Sequence, residues 1–185
     1  MYGDAVLTPE EIKREEIMWE IDLGLQKTRG FLQGWTRGFY KNYSYEVPAK
    51  CLDKYSTMQV YFFEQLFKDF DIMESWKILT LSYNLYYSFD FECDVEEHLF
   101  DLSNFCFDHN CEPEQLLQNE MGKVFQVTGA LNALAALYYE EQPDIDQHLA
   151  WFDQYNEIGL NVGKLMRYTL AFEARDINYH DDDDY

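Results

Sequence analysis

The sequence predicts an all-α fold: a helical bundle of about three long and three shorter helices, packed closely at glycine and alanine stripes and held by two disulfides. Three observations predict it. Helix-start signals precede the long segments, apolar residues recur every three or four positions, and no two-residue alternation persists anywhere. The short connections predict antiparallel neighbours.

The first long helix spans Thr8 to Tyr43. Thr8-Pro9-Glu10-Glu11 is a capping-box start: the Thr hydroxyl serves free N–H groups, Pro9 sits where no N–H is needed, and Glu11 reaches back. Ile17, Ile21, Leu25, Leu32, Trp35 and Phe39 follow at helical spacing. On the same helix Gly30, Gly34 and Gly38 repeat every four residues and so share one face. Each glycine costs a helix about 0.8–1 kcal/mol relative to alanine. Three in register cost about 2–3 kcal/mol, so the face predicts another backbone lying close against it. Two later stripes offer that backbone. One is Gly129, Ala133 and Ala136; the other is Gly159 and Gly163.

A connector from Ser44 to Asp53, broken by Pro48, leads to a second helix over Tyr55 to Phe70 with Val60, Phe63, Leu66, Phe67 and Phe70 at helical intervals. Asp71 is placed to cap a third, over Met73 to Phe89, carrying Trp76, Leu79, Tyr83, Tyr86 and Tyr87. Asp94 is placed to cap a short helix to Phe107, with Leu99, Leu102 and Phe105 inward. Pro113 starts a long helix to Glu141, which Pro143 ends. Asp144 opens the last long helix, to Ala174. No composition shift divides the chain, so residues 1–185 read as one helical domain with an N-terminal arm (1–7) and an acidic tail (175–185).

The formal net charge is −21. Such a polyanion repels phosphates and anionic headgroups, which excludes nucleic acid and acidic lipid as main partners. Apolar residues at 47% are enough to drive folding, and 15 Tyr with 14 Phe suit a surface that is both adhesive and wet. No apolar run reaches the roughly 18 residues of a membrane span; Val124 to Tyr139 comes nearest. Met1-Tyr2-Gly3-Asp4 is no signal peptide, which leaves an intracellular chain or a mature secreted form.

Cysteine usage favours the second. Cys51, Cys93, Cys106 and Cys111 make an even set near segment ends. Cys93 and Cys106 stand at opposite ends of the short helix, about 20 Å apart by helical rise, too far to bond. Of the two pairings left, Cys51–Cys93 with Cys106–Cys111 is preferred, because Cys51–Cys106 would require Cys93–Cys111 to bridge nearly the same span. Asn42-Tyr43-Ser44 is a glycosylation sequon. These features point to an extracellular or luminal home, with an intracellular one as the alternative. Cys106, His109 and Cys111, with Cys93 or His98, form a competing zinc set, but lack a recognisable ligand spacing.

Catalytic signatures are missing. There is no H-E-x-x-H, no Glu-x-x-His pair, no G-x-S-x-G and no G-x-G-x-x-G. The sequence therefore predicts a non-enzyme without a cofactor. Asp181, Asp182, Asp183 and Asp184 are calcium candidates by ligand type, against a plain solvated tail. The expected function is a structural or interaction protein that self-associates or binds a protein partner. The alternatives are an accessory subunit of a large complex and a helical carrier of an apolar small molecule. The carrier would need a cavity lined by Phe62, Phe63, Trp76, Tyr83 and Phe125.

Overall fold

The computed structural model describes residues 8–68, 75–109 and 111–173. Among these the chain is all-helical, with seven helices and no strand: α1 (Pro9–Tyr40), α2 (Lys54–Lys68), α3 (Ser75–Asp90), α4 (Val95–Asp108), α5 (Pro113–Gly122), α6 (Val124–Tyr139) and α7 (His148–Leu170). The expected caps at Asp71 and the arm 1–7 lie outside the described residues, as does the tail with Asp181 to Asp184.

α1 starts as its sequence dictates. Glu11 N–H donates to Thr8 Oγ1 at 3.3 Å, and Thr8 N–H donates to Glu11 Oε2 at 2.8 Å. It ends three residues earlier than expected, because Lys41 turns left-handed at φ 58°.

The glycine face of α1 meets the glycine face of α7. A Cβ on Gly30, Gly34 or Gly38 would collide with the carbonyl oxygen of Phe152, Asn156 or Leu160 respectively. Reciprocally, a Cβ on Gly159 or Gly163 would collide with the carbonyl of Phe31 or Trp35. Carbonyl oxygens aimed at glycine Cα atoms also favour weak C–H···O contacts. The partner numbers rise together, so α1 and α7 run parallel. Antiparallel packing is expected of consecutive helices, whereas these are the first and last.

Gly129 corrects the other stripe. A Cβ there would meet nothing within 4 Å, and Gly129 and Ala136 are exposed. α6 instead turns Ala130 inward, with Ala133 half-buried. The expected long helix from Pro113 to Glu141 is also two helices. Gly122 and Lys123 break it, Lys123 standing at φ −123°. The last helix begins at His148, later than Asp144, and Trp151 Nε1 donates to the Asp144 carbonyl at 3.1 Å across the connection.

Two apolar clusters flank the α1–α7 seam. Val47, Cys51, Leu52 and Cys93 form one, with Leu25, Leu32 and Phe152 against it. Phe39, Phe105 and Phe172 form the other, with Trp35, Cys106, Cys111 and Met166 against it. Each cluster holds one cysteine pair at bonding distance, Cys51–Cys93 and Cys106–Cys111, so both disulfides bind peripheral chain to the seam.

Candidate interaction surface

The α2–α3 hairpin is polar inside and aromatic outside. Its buried residues are Ser56, Thr57 and Gln59 on α2, and Ser88 and Asp90 on α3. Ser56 and Ser88 share a hydroxyl hydrogen bond at 3.2 Å, and Thr57 donates to Asp22 on α1 at 3.2 Å. These bonds turn the opposite faces outward. Phe62, Phe67, Trp76, Leu79, Tyr83, Tyr86 and Tyr87 are exposed, Trp76 at 62%. Phe62, Trp76 and Tyr83, which a carrier would turn into an interior cavity, are among these exposed residues. Periodicity identifies the apolar face of a helix but not whether that face meets the core.

Between α2 and α3 an open groove of about 390 Å³ is lined by Phe62, Leu66, Trp76, Lys77, Thr80 and Leu81. Of the residues expected around a ligand cavity, Phe63 and Tyr83 do not line it, and Phe125 stands 89% exposed on α6.

α4 is fixed to α1 by a buried histidine. His98 Nε2 and Thr36 Oγ1 lie 3.0 Å apart, and the imidazole sits among the rings of Trp35, Tyr40 and Tyr45. Its Nδ1 has no hydrogen-bond partner. Burial holds the His98 pKa below the usual imidazole value, against the opposing pull of Asp94 and Asp101. Tyr40 donates to Asp101 at 3.0 Å and Tyr45 to Asp94 at 3.1 Å. Burial, reinforced by Asp94, pushes the Tyr45 phenol well above its ordinary range. Asp94 was expected to cap α4. It is instead left-handed at φ 59°, makes no side-chain cap bond, and spends its carboxylate on Tyr45. The composition of the sequence carried no signal for this junction, since a lone histidine gives no spacing to read.

The zinc alternative loses its thiolates, because Cys106 and Cys111 are bonded to each other and Cys93 to Cys51. His109 stacks on Phe105, ring centroids 4.3 Å apart. Among the described residues no three His, Cys, Asp or Glu side chains converge to hold a metal ion. Asn42 is exposed just past the end of α1, where Ser44 Oγ donates to its Oδ1 at 2.8 Å. No described helix is long and apolar enough to cross a membrane. No family model, curated protein or solved structure matches this chain.

Proposed function

We propose that this is a non-enzymatic structural or interaction protein that assembles with copies of itself or docks a protein partner, in an extracellular or luminal setting. One observation carries the reading: the amount of large apolar side chain left in water. Among the described residues 24 large hydrophobics are exposed, against 10 buried hydrophobic residues. Monomeric soluble proteins rarely expose extended apolar patches, and such patches mark sites of association. The two disulfides support the oxidising setting. Asn42, exposed within its sequon, is open to glycosylation there.

Sedimentation velocity over a range of concentrations tests this. Species larger than a monomer are expected. Monomer alone, with and without calcium, removes the self-assembly arm and leaves partner docking, including a place as accessory subunit of a large complex. Calcium enters because it would screen like-charged copies, with Asp181 to Asp184 as the candidate ligands.

A second reading, a carrier of apolar small molecules, rests on the α2–α3 groove. It predicts saturable binding of an apolar fluorescent probe that Trp76→Ala abolishes.

A further inference from the structure

We infer that α6 is the surface through which two copies of this chain pair, antiparallel, about a two-fold axis at Asn132. This deepens the self-assembly reading and rests on it. The 16 residues of α6 include no charged side chain. A helix without a polar face is ordinarily buried on all sides. Yet Ala130 is its one buried residue, on the side that packs against α7.

The outward face has an order that selects its occupant. Phe125 and Tyr139 stand at its ends, Asn132 at its centre, and the small pairs Thr128–Gly129 and Ala135–Ala136 between; all are exposed. Their spacing is that of a heptad seam, and it reads the same in both directions from Asn132. A two-fold axis at Asn132 sets each small pair against the other copy's small pair, and each Phe125 against a Tyr139. Asn132 meets its own mate. That is an isologous, self-complementary patch. A polar Asn at the centre of an apolar seam also fixes register. The small pairs allow close backbone approach, as the glycines of α1 and α7 do within the chain.

Charge argues for a second copy over a foreign partner. Two chains of net charge −21 repel each other wherever carboxylates meet, and α6 carries none. A basic partner would find nothing here to neutralise. Phe125 and Tyr139, the seam's two aromatics, are 89% and 83% exposed. At about 150–250 Å² each they bring about half of the roughly 800 Å² that a standard interface takes from each partner.

Two variants test the pairing. Asn132→Cys adds the one unpaired thiol to a chain whose four cysteines are bonded, and mild oxidation should link two copies much faster than it links Asp153→Cys, on the exposed side of α7. Ala135→Glu should raise the dimer dissociation constant at least tenfold in sedimentation equilibrium. If the wild-type chain associates, yet Ala135→Glu leaves the constant unchanged and Asn132→Cys links no faster than the control, the α6 pairing is overturned while self-assembly stands. A wild-type chain that stays monomeric overturns both.

Discussion

Arg167 Nη1, in the last turn of α7, donates to the Gly38 carbonyl in the last turn of α1 at 2.6 Å. Arg167 is 5% exposed. Because α1 and α7 run parallel, their carbonyl ends lie side by side and their partial negative charges add. The guanidinium sits between those ends, supplies a donor that the helix cannot, and offsets their repulsion.

Replacing Arg167 with Met keeps much of the buried stem and removes the donors. Hydrogen bonds to charged groups are worth about 1.5–3 kcal/mol, so Arg167→Met should lower unfolding stability by about that amount in urea titration. A loss below about 0.5 kcal/mol, typical of a neutral surface change, would count against the capping role.

Glycine-to-alanine changes should split in sign. Gly34→Ala drives a methyl group into the Asn156 backbone and should cost about 3 kcal/mol or more, since a backbone cannot yield as a side chain can. Gly24→Ala meets nothing within 4 Å and should stabilise α1 by about 0.8–1 kcal/mol. Denaturant midpoints of the two variants settle it; equal effects would contradict the α1–α7 seam.

His98 makes stability depend on pH. Burial lowers its folded-state pKa below the unfolded value, so the unfolded chain binds more protons just below the ordinary histidine range. Stability should be full above about pH 6.5 and fall as the pH drops through that value, levelling once the folded-state pKa is passed. Glu97 works in the opposite sense: burial, Asp101 and Asp94 raise its pKa. The difference between wild type and His98→Gln isolates the histidine. A pH-independent difference would refute its role.

The two disulfides should contribute unequally. Cys51–Cys93 closes a sequence separation of 42 residues and Cys106–Cys111 one of 5. In the chain-entropy account the first restricts the unfolded chain by about 4 kcal/mol and the second by about 2. The Cys51→Ala/Cys93→Ala double variant should therefore lose more stability than Cys106→Ala/Cys111→Ala. The reverse order in thermal unfolding would show that the cluster around Phe39 depends on its staple more than chain entropy implies.

Much of this architecture is legible in local signals. The Thr8–Glu11 cap, the glycine repeat and the cysteine arithmetic each depend on spacing along a single helix or on reach between helix ends. Those quantities are set by backbone geometry. Which way a helix faces is a different kind of quantity. Phe67, Trp76 and Tyr83 follow helical periodicity and still point to water, because Ser56, Ser88 and Thr57 spend their hydroxyls on the inner side. Asp94 has the residue type of a cap, but a tyrosine from a distant loop claims its carboxylate.

The sequence alone determined that α1 must lie against another backbone, since three glycines in one row weaken a helix that nothing covers. It also ruled out a Cys93–Cys106 bond and left two pairings, between which the structure decides. Only the tertiary structure decided that the covering backbone is the Gly159–Gly163 row of α7, that the two helices run parallel, and that Gly129 is left facing outward. The two small-residue rows are nearly equivalent as local sequence, and the choice between them depends on which pair of rods can approach while the chain between them is accommodated. That is a property of the whole path of the chain and is carried by no single segment.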